Sequence, residues 1–418
     1  MLDRKPYRPA GAIALVALLA VLFSGLFATS AQAAPALDLE ARSAVLLDYA
    51  TGQVLYQKNP DEPISPASLT KLMTLHLAFK QIEAGKISLD DPVEVSQRAW
   101  AANFPDSSLM YLEPGDHVTV GEVLKGIAID SGNDAAVALA EHIAGSVEAF
   151  VDMMNDEAQA LGFTTFHFVD PHGLSPDNQI TAGEFADFAR LYIQLHPESL
   201  AELHSQKTYT YPLYENLSDA RKAVTTPEQH VPITQENRNG LLWTYEGVDG
   251  LKTGFVDEAG FNLAVTAKRG DMRLVGVLLG IQANSIPEGS AKREAEGAAL
   301  LSWGFNNFVT VRPTLPEVKK VRVWKGAANE LTLEPAGGAP TLVLEKGTES
   351  SLTVSVRQEE SVTAPVAKGQ KLGEVIFAAD GKEVARLDLV AAEEVAQGGF
   401  FKRLWDSLRL WIMSFFNR

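Results

Sequence analysis

A serine and a lysine three residues apart, Ser68 and Lys71, could be the nucleophile and the general base of an acyl-transfer enzyme. In a helix this spacing places both side chains on one face, one turn apart. A lysine accepts the hydroxyl proton only when it is neutral, and burial or a second nearby cation would lower its pKa enough for that near pH 7. The pair therefore predicts a serine that is acylated during the reaction.

A second segment, Ser131-Gly132-Asn133, lies between two helical stretches and offers a hydroxyl and an amide on one loop. The hydroxyl can pass a proton to a leaving nitrogen, and the amide can bind a substrate carbonyl. Taken alone, such a segment is most often a solvated loop. It gains significance because it follows Ser68 and precedes a third segment in a fixed order.

The third segment, Lys252-Thr253-Gly254, supplies the second cation that the mechanism needs. Its threonine can donate a hydrogen bond to a substrate carboxylate, and its glycine lets a substrate backbone approach closely. We expect it to start the first strand of a late β pair, where an edge strand could align an extended peptide. The backbone N–H groups of Ser68 and Phe255 are the candidates for an oxyanion hole.

Composition excludes several other chemistries. The 418 residues include no cysteine, which rules out disulfides, thiol nucleophiles, iron–sulfur clusters and zinc–thiolate sites. An excess of acidic residues gives a formal charge of −17, which argues against nucleic acid as a partner. His167 and His172 flank a proline at a spacing that fits no metal site, so neither a metal nor another cofactor is expected.

The elements that must position these segments follow from hydrophobic periodicity. Alternating residues at 43–58 predict a β-hairpin, and helical periodicity begins at Ser68 and runs to about Lys86. Further helices are predicted at 121–129, 133–144, 147–161, 182–195 and 289–302, and two strands at 261–268 and 272–280. Strands at both ends of the region with helices between them predict an α+β or α/β catalytic domain over residues 34–310.

Beyond this region the pattern changes to short β-type runs separated by glycine, proline and charged turns. No helical period persists there before the last twenty residues. A small all-β domain, a β-sandwich, is therefore predicted over residues 311–396. It carries no group of residues suited to catalysis, so a spacer role is the simplest interpretation.

The two ends of the chain predict export and attachment to a membrane surface. Residues 1–33 have a basic start, an apolar run and a small-residue site, Ala31-Gln32-Ala33, as in a signal peptide. A membrane-spanning anchor is the alternative for this run. Residues 397–418 predict a basic, aromatic-rich amphipathic helix suited to the membrane interface. The alternative is a terminal helix docked on its own domain.

The three motifs, with the segments at 237–243 and 259–263, resemble the low-molecular-mass class C (type 5) penicillin-binding proteins, which are serine D-alanyl-D-alanine carboxypeptidases. The resemblance implies a penicillin-recognising, transpeptidase-like catalytic domain followed by the β domain and the terminal helix. It also implies roles for individual residues: Ser68 as the acylated nucleophile, Lys71 as its base, Ser131 and Asn133 as assistants, Lys252, Thr253, Gly254 and Phe255 as substrate-binding residues, and Arg293 as the partner of the terminal carboxylate.

By this resemblance the substrate is the peptidoglycan stem pentapeptide, β-lactams are inhibitors, and the site faces the periplasm. Many members carry His where Phe255 stands and Thr where Val256 stands, which affects substrate preference more than the reaction. A DD-endopeptidase, a class A-like β-lactamase and a non-catalytic β-lactam sensor are the alternatives. The lactamase lacks support because residues 166–171 contain no deacylating Glu with its Asn partner.

Overall fold

The computed structural model describes residues 35–416, so the predicted signal peptide at 1–33 lies outside the described residues. In chain order, the strands before residue 300 are β1 (Ser43–Asp48), β2 (Val54–Lys58), β3 (Pro92–Val93), β4 (Val118–Thr119), β5 (Thr208–Tyr211), β6 (Ile233–Glu236), β7 (Val248–Val256), β8 (Gly260–Arg269) and β9 (Met272–Ile281). The α-helices of the same region are α1 (Lys71–Glu83), α2 (Val120–Lys125), α3 (Asn133–Ala144), α4 (Val147–Ala160), α5 (Ala182–Leu195), α6 (Asp219–Lys222), α7 (Leu241–Thr244) and α8 (Ile286–Asn307).

An antiparallel sheet with the order β2-β1-β9-β8-β7 separates two apolar cores. The alternation along β1 shows this division: Val45 and Leu47 point into the core shared with α1 and α3 to α5, whereas Ala44 and Leu46 point into the core beneath α8. Nearly every residue of β8 and β9 is buried because both faces of the sheet are covered. The sheet built from both ends of this region agrees with the α+β prediction.

Helix α1 runs through the larger core. Every residue from Lys71 to Phe79 is buried, as expected for a helix that other elements surround. Because this helix is enclosed, polar side chains at its N-terminus are held in a fixed position between the sheet and the other helices.

The second domain contains β10 (Phe308–Val311), β11 (Val321–Trp324), β12 (Glu330–Leu331), β13 (Leu333–Pro335), β14 (Leu342–Glu345), β15 (Thr353–Gln358), β16 (Ser361–Thr363), β17 (Lys371–Ala379) and β18 (Lys382–Ala391). Sheets of order β12-β11-β16 and β13-β18-β17-β15 enclose one apolar cluster, which is a small β-sandwich. Strand β10 pairs with β14, and Val343 joins the core beneath α8. The boundary predicted at residue 310 therefore falls inside a strand that links the two domains.

The terminal helix α9 (Phe400–Phe416) docks on the β-sandwich through its polar face. The buried carboxylate of Asp406 accepts hydrogen bonds from the Lys325 N–H at 2.7 Å and from the Lys402 ammonium at 2.8 Å. The opposite face remains exposed, with 83% of Phe401 and 60% of Trp405 accessible to solvent. No helix within residues 35–416 has both the length and the apolar character needed to cross a bilayer.

Candidate active site

Ser68 lies in a short 3-10 turn, Ala67–Thr70, directly before α1, and Lys71 is the first residue of that helix. The predicted helix start at Ser68 is thus a tighter turn followed by the helix. The Lys71 Nζ atom lies 3.0 Å from the Ser68 Oγ atom, which is hydrogen-bond distance for proton transfer. The structure therefore brings the predicted nucleophile and base together.

Lys71 is completely buried, and burial lowers its pKa to about 7, although Asp170 and Asp134 act in the opposite direction. Its Nζ atom also lies 2.6 Å from the Asn133 Oδ1 atom and 2.7 Å from the His172 carbonyl oxygen. A neutral amine has two N–H donors and one lone pair. The two oxygens can take the donors, which leaves the lone pair directed at the Ser68 hydroxyl.

Ser131 and Asn133 reach the cleft through an unusual helix end. Helix α2 continues into a π-helical turn, Gly126–Asp130, and Ser131 ends it in the left-handed conformation with φ of +62°. A π-turn followed by a left-handed residue redirects the chain sharply, and such turns are frequent at functional sites. The predicted helix at 121–129 is thus partly π-helical, and the Ser131 side chain lines the same cleft as Ser68.

Lys252, Thr253, Gly254 and Phe255 lie in the middle of β7, the edge strand of the sheet. The sequence instead predicted them at the start of the first strand of the late pair, and that placement is wrong because β7 is a separate third strand paired with β8. A Cβ atom on Gly254 would lie 2.7 Å from the Pro66 carbonyl oxygen and 3.1 Å from the Ser68 nitrogen. Glycine therefore lets β7 pack against the turn that carries the nucleophile.

Lys252 is buried, and its pKa is well below the ordinary value because of burial and then the neighbouring cations Lys71, Arg238 and Arg293. Its Nζ atom donates to the Thr253 carbonyl oxygen at 3.1 Å. Lys71 thus lowers the pKa of Lys252, whereas the lowered pKa of Lys71 itself comes from burial and not from the second cation that the sequence suggested.

Arg293 projects from α8 into the same cleft, as the resemblance implies. It donates to the Arg238 carbonyl oxygen at 3.1 Å and lies 5.9 Å above the Phe261 ring, while its Nε atom is buried without a partner. Burial lowers the pKa of Arg293 to about 10, which leaves the group cationic at neutral pH. Phe255 stacks on Phe261 at 4.3 Å and so forms part of the same wall.

Three features of the site were not predicted. The guanidinium of Arg238 lines the cleft. Asp130, directly before Ser131, is buried with both oxygens unpartnered, and burial raises its pKa to about 8 against the influence of Arg238. A carboxylate at the end of an apolar run was a usable signal for Asp130. The His172 carbonyl that binds Lys71 leaves no trace in residue types, because any residue has a carbonyl.

The cleft between these elements has a volume of about 530 Å³, a size that suits a peptide end or a small drug. Ser68 lines it together with the guanidiniums of Arg238 and Arg293, and four carboxylates also line it, those of Asp106, Asp257, Glu258 and Glu294. Within residues 35–416 no cluster of three or more His, Cys, Asp or Glu side chains is arranged to hold a metal ion.

Comparison with known proteins identifies the chain. A family model described as D-alanyl-D-alanine carboxypeptidase matches residues 28–283, well over half of the sequence. The chain belongs to this family. A second model, the C-terminal domain of penicillin-binding protein 5, matches residues 316–397. The family, the fold and the class of enzyme predicted from the motifs are thereby confirmed.

Similar proteins cover both domains. The D-alanyl-D-alanine carboxypeptidase DacC of Escherichia coli is 40% identical over 94% of this chain and 96% of its own length. The crystal structure of penicillin-binding protein 5 from Haemophilus influenzae, at 35% identity, superimposes with a TM-score of 0.74 over 87% of this chain and 99% of its own. Penicillin-binding protein D2 from Listeria monocytogenes, in its ampicillin-bound form, is 28% identical with a TM-score of 0.53 over 65% of this chain and all of its own.

Proposed function

We propose that this protein is a serine D-alanyl-D-alanine carboxypeptidase that removes the terminal D-alanine from peptidoglycan stem pentapeptides through an acyl-enzyme on Ser68. The single observation that carries the proposal is the contact of 3.0 Å between the Lys71 Nζ atom and the Ser68 Oγ atom, in a cleft that Arg238 and Arg293 also line. This arrangement supplies a nucleophile, a base and a site for a terminal carboxylate together.

In the acylation step, neutral Lys71 takes the hydroxyl proton while the Ser68 Oγ atom attacks the carbonyl carbon of the penultimate D-alanine. The oxyanion that forms faces the backbone N–H groups of Ser68 and Phe255. The C–N bond then breaks, and the leaving amine takes a proton that Lys71 passes on through the Ser131 hydroxyl. The products are a serine ester and free D-alanine.

Recognition of the substrate end is electrostatic. The terminal carboxylate fits the wall formed by Arg293 and Thr253, with Arg238 and Lys252 nearby. A guanidinium binds a carboxylate through two parallel hydrogen bonds, which orients the scissile bond as well as holding it. β-Lactams combine a strained amide with a carboxylate at a similar distance, so we expect them to acylate Ser68 in the same way.

Deacylation completes the cycle. A water molecule adds to the ester carbonyl and loses a proton to Lys71, which is neutral again once the amine has left. The C–O bond to Ser68 breaks, and the Ser68 Oγ atom recovers a proton from Lys71. The shortened peptide leaves with a new carboxylate.

The test is release of D-alanine. The protein is incubated with a stem pentapeptide ending in D-Ala-D-Ala, free D-alanine is measured by mass spectrometry, and S68A is the control. We expect release from the native protein and none from the variant. An absence of release from the native protein would contradict the proposal, and fast hydrolysis of benzylpenicillin in its place would point to a β-lactamase.

We further infer that the protein is exported and rests on the outer, periplasmic face of the cytoplasmic membrane through α9. The leader-like sequence at 1–33 and the exposed apolar face of α9 support this location. Asp406, which docks the helix, lies on the opposite side of the helix from Phe401 and Trp405, so docking leaves the apolar face free for lipid.

Sedimentation with vesicles containing anionic lipid tests the membrane contact. The double variant W405E/L408E places charge on the exposed apolar face, and we expect it to remain in the supernatant. S407E/S414E adds the same two charges on the polar face and should still sediment with the vesicles. Equal binding by all three proteins would refute the assignment of the apolar face.

A further inference from the structure

The loop at residues 170–175 takes no direct part in the proposed reaction. It contacts both the turn that carries Ser68 and the side chain of Lys71. At its centre, Gly173 has a φ of +87°, and a Cβ atom there would lie 1.9 Å from the Ala67 carbonyl oxygen, next to Ser68. One residue earlier, the His172 carbonyl oxygen accepts the hydrogen bond from Lys71 at 2.7 Å. The loop therefore contacts the turn that carries Ser68 and the side-chain nitrogen of Lys71.

One carboxylate organises this loop. The Oδ1 atom of Asp170 accepts hydrogen bonds from the backbone N–H groups of His172, at 3.0 Å, and of Gly173. Its Oδ2 atom accepts from the Ser175 N–H at 2.8 Å and from the Asn178 side-chain amide at 3.1 Å. Four donors thus converge on a side chain that is only 13% exposed. The adjoining Pro171 carbonyl is fixed separately by the hydroxyl of Thr74 in α1 at 2.6 Å.

We propose that Asp170 is a positioning residue for the general base: its carboxylate holds the loop that presents the His172 carbonyl to Lys71. This inference rests on the proposed function. It assigns Asp170 no contact with substrate, because its oxygens are occupied by the loop's own donors. Without the carboxylate, the carbonyl that fixes Lys71 opposite Ser68 would lose its support.

The charge of Asp170 adds a second effect. Although burial opposes ionisation, the hydrogen bond from His172 and the backbone donors hold the pKa of Asp170 well below its usual range, so it is anionic when the enzyme works. The charged groups that act on Lys71 are Asp170 from this loop and Asp134 from α3, and both carboxylates favour its protonated form. Lys71 in turn lowers the pKa of Lys252 in β7.

These charges determine the direction in which D170N shifts the pH dependence of acylation. Acylation requires neutral Lys71, so its rate rises with pH through the pKa of this group. D170N removes an anion and lets that pKa fall, which moves the acidic limb of the rate profile to lower pH. We expect a shift of about one pH unit, the lower end of what a close opposite charge produces. One unit below the wild-type midpoint, the rate relative to its own plateau should then rise about fivefold.

D170N should also lower the plateau of the acylation rate. Its side-chain amide nitrogen would face N–H donors that meet a carboxylate oxygen in the wild type. A lower plateau alone is what any damaged loop would give. The shift of the midpoint is the result that separates a positioning residue beside the base from a merely structural one.

The experiment measures the rate of acylation by benzylpenicillin between pH 5 and 9 for the full-length protein and three variants. D177N is the matched control, since Asp177 is an exposed carboxylate of the neighbouring segment with the same charge change. D170E keeps the negative charge but lengthens the side chain, so the four donors no longer fit the carboxylate; the plateau should fall while the midpoint stays unchanged.

A midpoint lowered in D170N and unchanged in D177N, with a lower plateau at an unchanged midpoint in D170E, supports the inference. An unchanged midpoint in folded D170N overturns it. If D170N does not fold, as judged by circular dichroism, D170E decides: a lower plateau at an unchanged midpoint supports the inference, and a wild-type plateau overturns it. If the wild-type protein neither reacts with penicillin nor releases D-alanine, it is the proposed function that has failed.

Discussion

The substitution G254A tests how closely β7 must approach the nucleophile. A Cβ atom at this position would lie 2.7 Å from the Pro66 carbonyl oxygen, whereas ordinary contacts begin at 3.4 Å. The strand or the turn must therefore move by about 0.7 Å. The same atom would lie 3.1 Å from the Ser68 nitrogen, whose N–H is a proposed oxyanion donor.

A movement of this size removes most of the hydrogen bond to the oxyanion, because N–H···O contacts weaken beyond about 3.2 Å. Loss of one oxyanion donor costs about 100-fold in the rate of the chemical step. The wall of Arg293 and Thr253 that binds the carboxylate remains, so KM should change little while kcat falls. Overpacking of this kind also lowers the free energy of unfolding by about 1 to 3 kcal/mol.

The assay is steady-state release of D-alanine, with thermal unfolding followed by circular dichroism to show that the variant is folded. G338A is the control, because a Cβ atom there meets nothing within 4 Å. If folded G254A kept kcat within about twofold of the wild type, an oxyanion hole formed by the Ser68 and Phe255 N–H groups would be refuted.

Three further predictions concern other parts of the molecule. Because burial lowers the pKa of Lys71 to about 7 and the neutral form is active, wild-type acylation should rise about tenfold from pH 6 to 8, and a rate independent of pH in a stopped-flow titration would exclude this base. R293A should raise KM for the dipeptide end about tenfold or more, the usual cost of a charged hydrogen bond, while R293K recovers only part of the loss; an unchanged KM in both would remove Arg293 from the carboxylate site. D406A should speed amide exchange at Lys325 and along α9 about tenfold, as expected for the loss of one net hydrogen bond. Amide hydrogen exchange is measured by mass spectrometry, and S407A should exchange at the wild-type rate. Equal protection of these amides in D406A and S407A would show that the carboxylate does not dock the helix.

How much of the site could be predicted depended on how local each relation is. The contact of Ser68 with Lys71 follows from a three-residue spacing, which any helical turn reproduces. Gly254 lies against Ser68 because its strand is at the edge of the sheet. Sequence periodicity does not determine this strand order. The support that the His172 carbonyl gives to Lys71 is a backbone contact across 101 residues, so side-chain types could not indicate it.

The terminal helix also shows what sequence periodicity can and cannot predict. Its periodicity allowed two interpretations, a membrane-facing helix or one docked on its domain. The structure shows docking through Asp406, while Phe401 and Trp405 stay exposed. A hydrophobic pattern identifies which face is apolar, whereas only the fold reveals that the polar face has a partner.

Two of the seven non-glycine residues with positive φ in the described part of the chain lie at the predicted catalytic segments. Ala67 and Ser131 both adopt positive φ, of 51° and 62°, which costs a residue with a side chain about 1 to 3 kcal/mol. Each immediately precedes or belongs to a predicted catalytic motif, and each is held by a close contact: Gly173 packs on Ala67, and the residue after Ser131 donates to the Gly126 carbonyl oxygen at 2.9 Å. We infer that relaxing either residue would move the Ser68 or Ser131 hydroxyl away from its position in the cleft. On this hypothesis the fold maintains an unfavourable backbone at two points to hold the two predicted catalytic hydroxyls in place.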